Sequence, residues 1–338
     1  MKAIQCQTLD GFEALRLEDV SCPIMDSVRP NENRVPLQEP ACDVRIKVHA
    51  AGLNFADTLI TKGQYQTKPP VPFSPGLEVS GEVIEVSSNV TSVKVGQRVM
   101  ALVAYGGYAE EAVAPQSTVY PIPDSMNWET AAGFPIVYGT SYVALVERAR
   151  LKAGETLLVN GAAGGVGLSA VEIGKKMGAT VIATAGGAGR LAIAEKYGAD
   201  HLIDYRNEDV RERVLEITNN RGVDVVYDPI GGEIFNASLR CTTSGGRILL
   251  VGFASGKVPK IPANIMLVKN VDIMGIFFGA MRMIDPDMVQ RAYAEMMTWV
   301  ESGDLRPHIS QTFALKDAKE ALRMLVERRS TGKVVLTV

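Results

Sequence analysis

Cysteine is scarce in this sequence. Four occur in 338 residues, Cys6, Cys22, Cys42 and Cys241, widely scattered and never as a C-x-x-C pair. That spacing excludes a disulfide framework and a closely spaced cysteine lobe for structural zinc. It fits reduced thiols in a cytoplasmic protein. Histidine is scarcer still, and His49, His201 and His308 are too dispersed to suggest a ligand set. Lysine and arginine form no cluster longer than a pair or two, and the net charge is −3. Electrostatics therefore gives no reason to expect nucleic acid or an anionic membrane as a partner. No uninterrupted apolar stretch approaches the length of a membrane span, and Met1-Lys2-Ala3-Ile4-Gln5-Cys6 opens no signal-peptide core. Internal repeats are absent.

What the sequence does have is a glycine-rich turn between a strand and a helix. Thr156–Val159 is an apolar run that reads as a fully buried strand. Asn160-Gly161-Ala162-Ala163-Gly164-Gly165-Val166-Gly167 follows, then Leu168–Met177, apolar at helical spacing, and a second buried strand at Thr180–Ala183. This is the strand–turn–helix–strand order of a dinucleotide-binding unit. Gly164, with no Cβ, lets the backbone approach a pyrophosphate closely, and Gly167 lets the helix lie tight against the strand. The helix N-terminus offers free amides and partial positive charge. Ala162 replaces the first of the usual three glycines, giving A-x-G-x-x-G with Gly161 just upstream.

The second strand bears on which coenzyme binds. An acidic side chain at its end would bond a ribose 2′-hydroxyl. Here Ala183-Thr184-Ala185-Gly186-Gly187-Ala188-Gly189-Arg190 holds no carboxylate. A 2′-phosphate would meet no repulsion, Arg190 can pair with it as a bidentate donor, and Tyr205 can add a hydroxyl. NADPH is the expected cofactor. The alternative is a solvated arginine at a helix start and a surface aromatic.

From Thr156 onward strand and helix alternate. Strands are expected at Thr156–Val159, Thr180–Thr184, His201–Ile203, Val223–Tyr227, Arg247–Val251 and Val271–Ile276. Helices are expected at Gly165–Met177, Arg190–Tyr197, Val210–Thr218, Gly231–Leu239 and Pro286–Glu301. The fold class is α/β, with a doubly wound parallel six-stranded sheet of the Rossmann kind. Earlier short strands, among them Asp43–Ala50, Glu78–Glu85, Val99–Val103 and Ala109–Val113, imply a second, β-rich domain. Asn127–Glu147 is apolar at helical spacing, broken by Pro135 and Gly139. A last helix at Lys316–Arg328 and a strand at Lys333–Val338 are expected to return to the β-rich domain. The expected boundaries are residues 1–138 with 280–338, and 139–279. Ser21–Pro40, with its prolines, reads as loop. Asn54 can cap a short helix running to Ile60, and Asp57 can cap or bridge it. Tyr65 lies in a proline-rich loop. Val271–Phe278 would be an edge strand of unusual apolarity, and its pairing with a two-fold copy would give a homodimer.

The chain resembles the medium-chain dehydrogenase/reductase superfamily, and within it the zinc-free quinone oxidoreductases of the zeta-crystallin-like branch. The resemblance is carried by Ala51-Gly52-Leu53-Asn54-Phe55-Ala56-Asp57, Pro75-Gly76-Leu77-Glu78-Val79-Ser80-Gly81, Asn160–Gly167, Gly198-Ala199-Asp200-His201-Leu202-Ile203-Asp204-Tyr205 and Tyr227-Asp228-Pro229-Ile230-Gly231. It implies a GroES-like catalytic domain for the β-rich part, and a dimer. It places Asn54 beside the nicotinamide, Thr140 against the cofactor, and Gly164, Gly165 and Val166 at the pyrophosphate. Gly186, Arg190 and Tyr205 fall at the 2′-phosphate. Val251-Gly252-Phe253 and Phe277-Phe278 fall at the nicotinamide end, Lys333 on a segment that returns to the cofactor, and Tyr65 near the substrate pocket. The resemblance also implies no metal. Leu77 stands where zinc members carry a histidine, the first helix lacks their cysteine, and Glu78 alone cannot hold a catalytic zinc.

Without a metal, an alcohol lacks a Lewis acid, whereas a quinone or conjugated carbonyl accepts hydride onto an oxygen that hydrogen bonds can hold. The expected activity is NADPH-dependent hydride transfer to a quinone, with Asn54 orienting and Tyr65 donating a hydrogen bond or proton. Two alternatives stand beside it. One is reduction of the carbon–carbon double bond of an enone or enoyl thioester. The other is a crystallin-like NADPH-binding protein without turnover.

Overall fold

The computed structural model describes residues 1–25 and 41–338. The expected loop at Ser21–Pro40 therefore lies, beyond Met25, outside the described residues. The chain divides into two compact units. One comprises Met1–Ile136, Gly279–Glu301 and Pro307–Val338, and the other Val137–Phe278 and Ser302–Arg306.

The first unit opens with a two-stranded antiparallel ribbon, β1 (Lys2–Gln5) and β2 (Arg16–Asp19). Next come β3 (Val44–Gly52), helix α1 (Phe55–Ile60), β4 (Glu78–Val86), β5 (Arg98–Leu102), β6 (Glu111–Ala114), β7 (Val119–Pro121) and helix α2 (Trp128–Ala132). In β3, Val44, Ile46 and Val48 are buried while Arg45, Lys47 and His49 are more exposed, as a half-buried strand requires. The alternation ends at Ala50, Ala51 and Gly52, which are all buried. A Cβ on Gly52 would stand 2.4 Å from both the Ala132 carbonyl and Glu78 Oε1. Glycine there lets α2 and the Glu78 side chain close over the strand end.

The second unit begins within helix α3 (Pro135–Tyr142), which runs into a π-helical turn at Val143–Arg148. The expected break at Pro135 falls between α2 and α3, and Pro135 starts the second of them, because a proline at the first position withholds no needed N–H. Gly139 lies inside it. Then follow β8 (Thr156–Val159), α4 (Gly165–Lys176), β9 (Thr180–Ala185), α5 (Ala188–Lys196), β10 (His201–Asp204), α6 (Val210–Ile217), β11 (Val223–Asp228), α7 (Gly232–Cys241), β12 (Thr242–Leu250), α8 (Ala263–Lys269) and β13 (Asp272–Gly275). The sheet has six strands in the order β10-β9-β8-β11-β12-β13, every pair parallel. All four residues of β8 are buried, as expected of a central strand covered on both faces.

β13 is shorter than the apolar run Val271–Phe278 suggests. Its ladder ends at Leu250↔Gly275. Beyond Leu250 the backbone turns inward, where the Val251 N–H bonds the Asp228 carbonyl at 2.9 Å, so the strand loses its partner. Phe278 instead starts α9 (Phe278–Ile284), followed by α10 (Pro286–Glu301). The chain then adds β14 (Ile309–Ala314), α11 (Ala318–Val326) and β15 (Lys333–Thr337) to the first unit. Its main sheet runs β14-β15-β3-β4-β5-β7, with β6 also on β3. Helices α8 and α9 and strand β14 are not among the elements legible in the sequence.

Candidate active site

In the second unit the glycine turn joins β8 to α4. Gly161 has a φ of +61°, and Gly164 is the N-cap of the helix. The Gly164 N–H bonds the Gly161 carbonyl at 3.0 Å, and the Leu168 N–H bonds the Gly164 carbonyl at 2.8 Å. That leaves the amides of Gly165, Val166 and Gly167 ahead of the i→i−4 ladder, the ordinary state of a helix N-terminus. The glycines do different jobs. A Cβ on Gly167 would lie 2.2 Å from the Gly161 carbonyl, so the turn cannot close without glycine there. A Cβ on Gly164 would meet only that carbonyl, at 3.4 Å, an ordinary contact. Nothing within the protein demands glycine at 164. A close backbone approach by a phosphate would.

Beneath the turn lies a buried polar floor. Asn160 Nδ2 donates to Ser238 Oγ at 3.0 Å and Asp228 Oδ1 at 3.3 Å, and Thr184 Oγ1 donates to Asn160 Oδ1 at 3.3 Å. Asp228 Oδ1 also accepts the Ile230 N–H at 3.0 Å. These bonds tie the C-terminal ends of β8, β9 and β11 together. Ser141 shares 2.8 Å hydrogen bonds with Ser169 and Tyr227, linking α3 to α4 and β11. Its neighbour Thr140 is nearly buried, at 7% exposed.

The end of β9 gathers Gly186, Arg190, Tyr205 and Arg206. A Cβ on Gly186 would lie 2.7 Å from Arg206 Nε and 2.9 Å from the Tyr205 hydroxyl, and Arg190 Nη1 lies 3.5 Å from the Gly186 carbonyl. A neighbouring carboxylate, Asp204, accepts from the backbone of Gly187 and Arg206, both at 3.1 Å, and from Asn207 Nδ2 at 2.8 Å. Those donors, the Arg206 and Gly187 amides first, hold its pKa below the usual carboxylate value. Sequence reasoning overlooked Arg206, although it adjoins Tyr205. Val251 and Phe277 follow β12 and β13, where the Ile276 N–H still bonds the Leu250 carbonyl at 3.0 Å. Phe253 is exposed and Phe278 buried. Both segments leave the sheet at the strands' C-terminal edge, as the glycine turn does.

In the first unit Asn54, Glu78 and Lys333 meet. Lys333 Nζ donates to Glu78 Oε1 at 2.7 Å, Asn54 Oδ1 at 2.9 Å and the Leu53 carbonyl at 2.5 Å. Those acceptors use all three ammonium protons. Asn54 Nδ2 donates to Glu78 Oε1 at 2.8 Å, and the Ile136 N–H donates to Glu78 Oε2 at 2.7 Å. Glu78 is fully buried and Lys333 is 5% exposed. Three residues on, Asp57 Oδ2 accepts the Asn54 N–H at 2.8 Å, capping α1, and the Tyr108 hydroxyl at 2.7 Å. Burial raises Asp57 to about 6 against those donors. Burial, then the Asp57 charge, raises Tyr65 to about 12. Tyr65 packs against the core of this unit. Among the described residues no three His, Cys, Asp or Glu side chains are grouped as a metal ligand set.

Comparison with known proteins agrees with this geometry. Residues 40–124 match the alcohol dehydrogenase GroES-like domain family, and residues 165–302 the zinc-binding dehydrogenase family. The chain is 42% identical over 295 residues to a quinone oxidoreductase-like protein 2 homolog of Nematostella vectensis, covering 87% of this chain and 81% of that one. It is 33% identical over 339 residues to the quinone oxidoreductase of Sus scrofa, covering 99% and 97%. The quinone oxidoreductase of Escherichia coli, solved as a complex with NADPH, superposes with a TM-score of 0.87 at 30% identity and full coverage of both chains. The chain belongs to the quinone oxidoreductase-like family of the medium-chain dehydrogenase/reductase superfamily.

Proposed function

We propose that this protein is an NADPH-dependent oxidoreductase that delivers hydride to a quinone and works without zinc. The observation that carries the coenzyme reading is the cluster at the end of β9. Two arginines and a phenol surround a glycine whose missing Cβ leaves their polar atoms accessible, and the neighbouring carboxylate is engaged by backbone amides. That chemistry suits a dianionic 2′-phosphate. The structures of relatives bound to NADPH support the same reading.

Bound coenzyme would supply a hydride, hence two electrons, and a proton from the protein side completes the hydroquinone. The amides of Gly165 and Val166 hold the pyrophosphate, with Gly164 allowing the approach. Arg190, Arg206 and Tyr205 hold the 2′-phosphate. Thr140, Val251, Phe253, Phe277 and Phe278 would line the nicotinamide end and keep water from it. Lys333 acts as a positioning residue, since its protons are spent on Leu53, Asn54 and Glu78. It fixes the Asn54 amide, whose second Nδ2 hydrogen is left to orient the nicotinamide or the acceptor oxygen. Tyr65, raised to about 12, keeps its proton at neutral pH and donates it as charge develops on that oxygen.

The metal-free reading is supported by Leu77 and by the Lys333 ammonium seated on the Glu78 carboxylate. The dimer reading keeps the edge strand but moves its contact surface. Ile276 is only 9% exposed, whereas Leu267 and Val268 of the neighbouring α8 are 77% and 74% exposed. Paired β13 edges flanked by these side chains would bury both liabilities.

The test is a steady-state panel of 1,2-naphthoquinone, an enone and crotonyl-CoA with NADPH or NADH. The quinone with NADPH should turn over fastest, and Arg190→Ala with Arg206→Ala should erase the coenzyme preference. Equal use of both coenzymes by the unmutated protein would reject the 2′-phosphate assignment. Faster enone or thioester turnover would favour double-bond reduction. Tight NADPH binding with no turnover on any acceptor would favour the non-catalytic reading.

A further inference from the structure

We propose that the second unit carries another anion site, for a chain of two or three phosphates, at the end of the six-stranded sheet opposite the glycine turn. Arg148, Arg150 and Lys152 lie just before β8. Arg247 stands level with Asp272, the first residue of β13. All four cations line one surface cavity of about 450 Å³, together with Glu147 and Asp272. The coenzyme site of such a fold lies at the strands' C-terminal ends, so this cavity is separate from it.

Several observations point to a ligand there. Arg148, Arg150 and Lys152 enter no ion pair among the described residues. Arg247 Nη2 donates to Glu155 Oε1 at 2.6 Å, yet its buried Nε–H has no hydrogen-bond partner. Arg150 has a φ of +51°, where the chain closes the π-helical turn by bonding the Leu151 N–H to the Leu145 carbonyl at 2.9 Å. Glycine adopts that left-handed closing conformation freely, and arginine does not. A helix C-terminus attracts cations, which accounts for Arg148. It does not account for holding an arginine in a disfavoured conformation at the rim of a cavity.

The class of ligand follows from size and charge. Three unpaired cations, beside an Arg247 already held by Glu155, stand around a volume in the range of small-molecule pockets and exceed what one phosphate needs. Guanidinium groups favour phosphate oxygens through paired donors. Glu147 and Asp272 oppose a bare anion but can accept from sugar hydroxyls or a base amino group. Free oligophosphate and the phosphate chain of a nucleotide share the first chemistry and differ in the second.

Calorimetric titration of the full chain with sodium tripolyphosphate and, separately, with ATP tests the site. One saturable event is expected in the unmutated protein and in Arg190→Ala, where the coenzyme site is weakened. Arg148→Ala with Lys152→Ala should weaken it at least tenfold. Arg150→Gly should weaken it comparably while leaving the melting temperature equal or higher, which separates loss of the cation from misfolding. ATP binding tenfold tighter than tripolyphosphate would identify a nucleotide, and equal affinities free oligophosphate. Absence of saturable binding by either probe would overturn the proposal. So would binding abolished by Arg190→Ala and untouched by the double variant, which would assign the phosphate to the coenzyme site instead.

Discussion

Lys333 Nζ lies 2.7 Å from Glu78 Oε1, a buried ion pair between the last strand of the first unit's sheet and β4. Breaking such a pair leaves a charge without compensation, at a cost of about 3–5 kcal/mol, whereas removing both partners costs less than the sum. Lys333→Met and Glu78→Gln should each lower unfolding free energy strongly, and the double variant should recover part of the loss. Urea unfolding of the four proteins in the cycle reads this out. Strict additivity would mean the two side chains do not couple.

The glycines of the turn separate fold from function. Gly167→Ala places a methyl 2.2 Å from the Gly161 carbonyl and should cost roughly 2 kcal/mol or more in stability. Gly164→Ala should leave the melting temperature within about 2 °C of the parent but lower NADPH affinity at least tenfold. Intrinsic fluorescence titration beside a thermal melt distinguishes the two. A Gly164→Ala variant with parental affinity would remove this residue from the pyrophosphate site.

Glu172, in α4, accepts from the Tyr138 hydroxyl at 2.5 Å and from the Arg306 N–H at 2.7 Å. Burial nevertheless raises its pKa from 4.5 to about 7. The folded state therefore favours the protonated form. Its contribution to stability is full below pH 4.5 and is lost as pH rises through about 7. Each pH unit crossed costs up to about 1.4 kcal/mol. Glu172→Gln should flatten the stability profile between those limits relative to the parent. Parallel melting curves across that range would contradict the assignment. Asp57, raised to about 6, behaves with the same sign in the first unit.

Leu267→Glu with Val268→Glu places charge on exposed positions of α8, a helix that buries none of its residues. The variant should stay folded, and its mass by light scattering should fall to that of one chain. An unchanged mass would exclude this face from the assembly.

The parallel sheet was legible because its signals are local. Thr156–Val159 and Thr180–Thr184 are short apolar runs bounded by glycines, and the turn between them carries its own chemistry. The elements that escaped notice lack such signals. Helix α8 buries none of its residues, so no apolar periodicity marks it. Strand β14 mixes part-exposed and exposed positions, as an edge strand can. The site shows the same division. Arg190 and Tyr205 could be picked out from their neighbours in sequence, and Asn54 as a helix cap. The bond from Lys333 to Asn54 joins residues 279 positions apart, and the bond from Tyr108 to Asp57 spans 51. Pairings of that range are decided by topology, which residue spacing does not encode.

β15 lies between β14 and β3 in the interior of its sheet, and both its neighbours bond to it. The six-stranded sheet, by contrast, has all its strands once Gly275 has been added. A chain emerging from the ribosome can therefore fold its nucleotide-binding half while the other half still lacks a central strand. Until Lys333–Thr337 arrives, the Ala50–Gly52 end of β3 lacks its partner and Glu78 has no ammonium opposite it. Chaperone dependence and sensitivity to premature termination should accordingly fall on the first unit.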